Sequence, residues 1–321
     1  MIQLGIVGLG RWGQNLVNSV QNKSTDVKFI KGCVRNTDKV SEFGKAVGIE
    51  LTSRYEDLIE DPRIDGIVLA TPHTLHVPQI VAAAQAGKGI LCEKPLALTK
   101  AEAQIAIDAC QKAGVILGVG HDKRFWPATL ELKKIVESKV LGELLHIEGN
   151  FSNENSKITP SGWRQDKENV PGATLTATGI HVVDTFTNMM GPISKVSGFF
   201  HDRKGQETMD SMAMTFQFKS GATGVLSSVR PTPVFWRIHV FGNKGSAEAH
   251  GANVLNLQMS GKPLETIRFE PRDALKFQLE VFAHALANKK PYPISFEEIL
   301  QTVEAFEAAA RAIDTQTTVS I

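Results

Sequence analysis

Cysteine is scarce in this chain: Cys33, Cys92 and Cys110 are all it has, without metal-ligand spacing. An odd, dispersed set argues against a disulfide framework or a metal site, and for reduced thiols in a cytoplasmic setting. An excess of one charge is missing too, since 35 Lys and Arg against 34 Asp and Glu leave a formal charge of +1. That balance removes the electrostatic case for nucleic acid or a membrane surface as partner. No apolar run approaches a membrane span, and the first residues already read as a strand, so no signal peptide is expected. Internal repeats and low-complexity linkers are lacking as well. What remains is an ordinary globular composition, 42% hydrophobic and 21% charged, in 321 residues. That length suits two domains better than one core, and a small molecule is the expected partner.

The most informative stretch comes first. Residues 2–7 have strand composition, residues 8–13 read Gly-Leu-Gly-Arg-Trp-Gly, and residues 14–22 have helical spacing with Leu16, Val17 and Val20 on one face. A strand, a G-x-G-x-x-G turn and a helix in that order form the dinucleotide fingerprint. Gly8 permits the tight turn, Gly10 lets the backbone approach a pyrophosphate, and Gly13 allows close helix–strand packing. Leu9, Arg11 and Trp12 lie in the same turn. NAD-type sites carry an acid about 20 residues further on, to hold the ribose hydroxyls. Here that place is Val34, followed by Arg35 and Asn36, so a 2′-phosphate gains a partner and NADP is favoured over NAD.

Strand and helix patterns then alternate to residue 122. Strands are expected at 27–34, 64–70, 90–92 and 115–119, with helices at 37–47, 78–86 and 100–113. Such alternation predicts an α/β domain with a doubly wound parallel sheet. Its strand C-termini share one edge, which gathers residues 8–13, Thr71-Pro72-His73 with His76, Glu93-Lys94-Pro95, and 120–124 including His121 and Arg124. Lys94, between a strand end and a proline, is the residue to watch. Desolvation there would bring its amine toward the acid/base range.

From Glu143 the period changes to two. Runs at 144–151, 193–200, 209–218, 222–229 and 234–241 predict an α+β second domain with one large, open, mostly antiparallel sheet. An uncovered apolar face of such a sheet commonly becomes an oligomer interface. The stripe Met212, Met214, Phe216 and Phe218 reads as core or interface rather than as chemistry. Closing helices are expected at 272–288 and 296–313. A helix from about Thr176 to Met190 would align Ala177, His181 and Asp184 on one face, and a His with an acid at i+3 can carry protons.

These pieces resemble the glucose–fructose oxidoreductase / inositol dehydrogenase (Gfo/Idh/MocA) family over nearly the whole chain. The matching segments are Gly8–Gly13, Ala70-Thr71-Pro72 with His76, Glu93-Lys94-Pro95, and Arg124-Phe125 with Pro127. Gly162-Trp163-Arg164, Gly179-Ile180-His181 with Asp184, and Phe241-Gly242 with Lys244-Gly245 follow. The resemblance implies a dehydrogenase or reductase using NADP or NAD on a CH–OH group of a sugar, cyclic polyol or related diol. Residues 1–122 would be the NAD(P)-binding Rossmann domain and 123–321 the substrate-binding and oligomerisation domain, with dimers or tetramers formed through the open sheet. Lys94 and His181 would be catalytic. Trp163 and Arg164 would join Gly8–Gly13, Arg35, Asn36, Thr71, Pro72, His73, His76, Glu93 and Lys94 at the cofactor. His121, Arg124, Asp166, Thr178 and Asp184 would join Lys94 and His181 at the substrate, with no metal. Two departures stand out: His73 replaces a common Asn, and Ala177 replaces an Asp four residues before the histidine. Asp184 or Thr178 would stand in, Lys94 would work with His181 alone, or the chemistry would differ. The alternatives are a regulatory sensor without turnover, and an epimerase or lyase using tightly held cofactor.

Overall fold

The computed structural model describes residues 1–153, 163, 168–172, 174–201, 211–230 and 232–321. The chain divides into two compact units, residues 1–122 with 273–299, and residues 123–272 with 300–321.

The first unit runs β1 (Ile2–Val7), α1 (Arg11–Val20), β2 (Val27–Cys33), α2 (Ser41–Val47), β3 (Glu50–Thr52), α3 (Glu56–Ile59), β4 (Gly66–Leu69), α4 (His76–Gln85), β5 (Gly89–Glu93), α5 (Lys100–Ala113) and β6 (Leu117–Gly120). The sheet order is β3-β2-β1-β4-β5-β6 with every pairing parallel. β4 and β5 are buried at every position, as a sheet covered on both faces requires. α5 shows why the local boundaries were readable. Thr99 and Glu102 close a capping box at its start, and Gly114 ends it in the left-handed region at φ +66°.

The second unit runs α6 (Pro127–Glu137), β7 (Leu144–Ser152), a single π-turn (Leu175–Gly179), α7 (Ile180–Met190), β8 (Ile193–His201), β9 (Ser211–Phe218), β10 (Thr223–Val229), β11 (Phe235–Gly242), β12 (Gly245–His250), β13 (Val254–Met259) and β14 (Glu265–Arg268). Then α8 (Ala274–Asn288) returns to the first unit, the unit boundary falls within α9 (Phe296–Thr315), and β15 (Val319–Ser320) closes the chain. The second sheet is ordered β14-β13-β12-β11-β7-β10-β9-β8-β15. Only β10 on β7 is parallel.

Met212, Met214, Phe216 and Phe218 are all buried, and Phe186 of α7 meets Phe216 edge-on at 5.6 Å. The stripe is therefore core. Its opposite face leaves Phe199, Val225, Val229 and Phe235 exposed. Leu145 departs from the expected alternation because the β7–β11 register shifts there, pairing Phe241 with His146 and Gly242 with Leu144. Leu145 faces out while Ile147 is buried.

Residues 273–299, expected with the second domain, pack in the first unit. Gly66, Gly89 and Gly118 lie on β4, β5 and β6, and the missing side chains make room for Leu286 and Tyr292. A Cβ at Gly89 would fall 2.2 Å from the Leu286 side chain, and one at Gly118 would fall 3.1 Å from the Tyr292 ring. Among the described residues, no helix is long and apolar enough to cross a membrane.

Candidate functional site

In the first unit the β1–α1 turn is shaped by its three glycines. Gly8 has φ +94°, and a Cβ on it would lie 2.5 Å from the Ala70 carbonyl at the end of β4. A Cβ on Gly13 would lie 1.9 Å from the Gly8 carbonyl, so only glycine lets α1 start this close to the turn. Gly10 is the opposite case, with nothing within 4 Å of its Cβ direction. It is also the N-cap of α1 and offers no side-chain cap. The first-turn N–H groups of α1 thus lack intrahelical acceptors beside open space, an arrangement that suits an anion. The residues present fit a dinucleotide pyrophosphate.

The neighbouring side chains divide into those that face outward and those that hold the loops. Arg11 and Arg35 are exposed and Trp12 is half-buried, whereas Leu9 is buried against Gly32 of β2. The Asn36 side-chain oxygen accepts from the Asp38 and Lys39 amides at 3.0 and 3.4 Å, so it shapes the turn after β2. Thr71 donates to Gln79 at 2.6 Å. His76 is fully buried, with Nδ1 2.8 Å from the Pro95 carbonyl and Nε2 3.1 Å from that of Thr71. It straps the β4 and β5 loops together, and burial holds its pKa below the usual histidine value. His73 meets His76 edge-on at 5.6 Å.

At the ends of β5 and β6 lie Glu93, Lys94, His121 and Asp122. Glu93 is buried, and burial pushes its carboxyl up to about 7. The Trp12 indole N–H opposes that rise without closing a hydrogen bond of good geometry. The charge of Asp122 adds to it, and that of Lys94 opposes it. Lys94 is half-buried, while His121 and Asp122 are buried. Among the described residues, no cluster of three His, Cys, Asp or Glu could hold a metal ion.

In the second unit His181 enters α7 directly after the π-turn, is buried, and meets Phe151 edge-on at 5.7 Å. Ala177, inside the π-turn, is exposed. Ala177 thus sits in the π-turn on an exposed position, whereas His181 and Asp184 lie in α7 and are buried. Asp184 accepts hydrogen bonds from Arg124. The Arg124 Nε lies 2.9 and 3.1 Å from its two oxygens, and the Nη2 lies 2.8 Å from Oδ1. Both partners are buried, and Thr302 also reaches Asp184 Oδ1 at 3.4 Å. Thr178 donates to the Thr174 carbonyl at 3.0 Å and lies 3.2 Å from the Ser228 hydroxyl. Arg124, Thr178 and Asp184 are thus each held in place by bonds within the unit. Arg164 and Asp166 lie outside the described residues, and Trp163 is described alone.

Sequence reasoning passed over two groups. One is Asp122, whose only signal was its place at the end of β6. The other is an aromatic cluster near His181, in which Trp236 meets Trp126 at 5.3 Å and Phe151 at 5.4 Å. The Lys123 ammonium sits 4.2 Å from the Trp126 ring centroid. These residues come from three separate segments, and no spacing pattern links the segments.

Comparison with known proteins accords with this geometry. Residues 2–121 match the family described as "Oxidoreductase family, NAD-binding Rossmann fold", under the heading GFO_IDH_MocA. Residues 129–248 match the "GFO/IDH/MocA C-terminal domain". Among curated relatives, myo-inositol 2-dehydrogenase of Thermotoga maritima is 27% identical, covering 100% of this chain and 98% of its own. D-xylose 1-dehydrogenase (NADP(+)) 2 of Haloferax volcanii is 26% identical, covering 99% and 98%. Among solved structures, levoglucosan dehydrogenase in complex with NADH and levoglucosan aligns over 100% of this chain and 99% of its own. Its TM-score is 0.88 at 22% identity, a likeness of fold.

Proposed function

The chain belongs to the Gfo/Idh/MocA oxidoreductase family, and on that footing we propose that Lys94 and His181 handle the proton when a sugar, cyclic polyol or related diol is oxidised, or its carbonyl reduced. The nicotinamide coenzyme, when bound along Gly8–Gly13, supplies the hydride acceptor or donor. The observation that carries this reading is local to the first unit. An open, uncapped helix start at Gly10 and the amine of Lys94 follow β1 and β5, at the same carboxyl edge of one parallel sheet.

Loss of a hydride from a C–H carbon leaves a hydroxyl whose proton must be taken, or alkoxide charge builds in a dry pocket. Lys94 takes that proton and then hydrogen-bonds the new carbonyl oxygen, and His181 assists. Exposed Arg35, with Val34 where an acid would hold a ribose, supports NADP over NAD. Residues 1–122 with 273–299 act as the coenzyme domain, and residues 123–272 with 300–321 provide substrate contacts and the subunit interface. Phe199, Val225, Val229 and Phe235 form the apolar part of that interface, which pairs two copies through the open sheet.

Replacing Lys94 with Ala tests the central claim. Turnover of a panel of inositols, aldoses and anhydrosugars, followed by nicotinamide absorbance, should fall about 10²–10⁴-fold. Coenzyme affinity should hold within about twofold, because the pyrophosphate contacts are backbone amides. Wild-type turnover by Lys94→Ala refutes the role. A sensor without turnover rests on Ala177 alone and is the weaker reading; coenzyme binding with no turnover across the panel would establish it. Coenzyme that copurifies and is not consumed would instead mark an epimerase or lyase.

A further inference from the structure

Glu93 is an unusual residue to keep. It ends β5, directly before Lys94, and is 8% exposed. Its carboxyl lies against Gly120, the residue it pairs with on β6. A Cβ on Gly120 would fall 2.7 Å from Oε1, 2.9 Å from Cδ and 3.1 Å from Oε2. The notch at Gly120 is therefore filled by this carboxyl group, and any larger residue at 120 would expel it. The contacts are poor compensation for a buried charge. The Lys94 amide approaches Oε2 at only 3.4 Å, and the Trp12 indole closes no good hydrogen bond. Asp122, buried at the end of β6, adds a second negative charge. Cys92, Trp12, Asp122 and Lys94 are the charged, titratable or N–H groups that act on it from β5, α1 and the loop after β6.

A glutamine or an apolar residue here would cost the fold less than a carboxyl crowded against another acid. What a carboxyl adds is proton exchange with the amine that follows it in the chain. Position 177 in the second unit offers no such group, being an exposed alanine.

We propose that Glu93 is the acid partner of Lys94, a positioning residue that holds the ammonium and receives its proton during turnover. The inference rests on the reading of Lys94 as the group that takes the substrate proton. In the oxidation direction the substrate O–H bond breaks and an N–H bond forms on the Lys94 amine. One N–H bond of the resulting ammonium then breaks and an O–H bond forms on the Glu93 carboxylate, which later loses that proton to water. No electrons change hands at either residue. Carbonyl reduction runs the same transfers backwards, with Glu93 resupplying Lys94.

The test is Glu93→Gln in the full chain, an isosteric change that keeps the Gly120 notch filled. Two readouts need no substrate. The first is thermal stability against pH. A carboxyl whose folded value is raised above its unfolded value holds its proton more tightly when folded, so stability declines as pH rises between the two. With the folded group near 7, the wild type should lose Tm from about pH 4.5 to 7, and Glu93→Gln should lose that component and be the more stable protein at pH 8. The second readout is the reactivity of Lys94 toward acetic anhydride, measured by peptide mass spectrometry across pH. Removing an adjacent carboxylate should lower the midpoint of that curve by about one pH unit. With the best substrate of the panel, kcat should fall about tenfold or more and lose its inflection near neutrality; Glu93→Asp should restore part of the rate. An unchanged Lys94 labelling curve, or an unchanged pH dependence of Tm, overturns the proposal. The Lys94→Ala variant keeps the two claims apart. If it is inactive while Glu93→Gln matches wild type, only the partnership fails; if it is fully active, the reading of Lys94 fails first.

Discussion

Asp184→Asn is the substitution whose cost follows most directly from the structure. It removes one charge from a fork in which Arg124 Nε and Nη2 make contacts of 2.8 to 3.1 Å with the two Asp184 oxygens. The Arg124 and Asp184 side chains are 7% and 2% exposed, so water cannot replace the lost carboxylate. Asparagine keeps one acceptor oxygen but leaves a buried guanidinium without this counter-charge. Breaking one side of a buried pair costs about 3–5 kcal/mol, a fifth or more of the roughly 5–15 kcal/mol that holds a typical domain together. Urea unfolding at 25 °C should show the loss, since Trp126 and Trp236 pack together in the same unit and report its state. Glu131→Ala is the control, because it deletes a 3.0 Å pair with Lys134, whose side chain is 71% exposed. Solvent screening limits that loss to about 1 kcal/mol or less. Replacing both members, with Arg124→Met and Asp184→Leu, should recover most of the lost stability, because neither charge then has to be buried. A loss below about 1 kcal/mol for Asp184→Asn, or a double variant worse than the single one, would refute the reasoning.

Three further outcomes are expected. Gly13→Ala should fail to fold or lose several kcal/mol, since its Cβ would sit 1.9 Å from a backbone oxygen that cannot move aside; Gly10→Ala should leave Tm unchanged yet weaken coenzyme binding at least about tenfold in a fluorescence titration, because the added methyl occupies the open space a pyrophosphate needs. Arg35→Ala should raise the KM for NADPH about 10- to 100-fold, the worth of one charge-assisted contact, and leave the KM for NADH within about twofold. Val225→Glu, on the exposed face of β10, should shift the mass seen by light scattering toward one chain; an unchanged mass would refute assembly through this face.

Much of this architecture was readable in the residue order. α5 came out at its full extent because the capping box at Thr99 and the glycine at 114 are local signals. The Met212–Phe218 stripe read correctly because side chains alternate strictly along a strand. The β12–β14 strands, within residues 245–268, give weak signals, since the buried positions of β12 are the small Ala247 and Ala249 and β14 has no buried position at all. α8 was recognised as a helix but assigned to the other unit. Its place depends on glycines in three strands that become neighbours only when the parallel sheet forms. The site divides in the same way. Gly8, Gly10 and Gly13 were legible because their role is a property of the backbone. Asp184, one of the two groups that could stand in beside His181, accepts a hydrogen bond from Arg124, sixty positions earlier in the chain, and no spacing signal links those two residues.

By itself, then, the sequence determined the order of strands and helices, the glycine turn that admits a dinucleotide, and the place of Lys94 at a strand end. These follow from φ preferences, side-chain periodicity and caps, which act within a few residues. Tertiary structure alone decided which charges are buried and with whom. Glu93 beside Gly120 and Asp122, and Arg124 around Asp184, each owe their chemistry to neighbours brought in from elsewhere in the chain. The free energy of a charge is set by what surrounds it in space, and proximity along the chain carries no record of that.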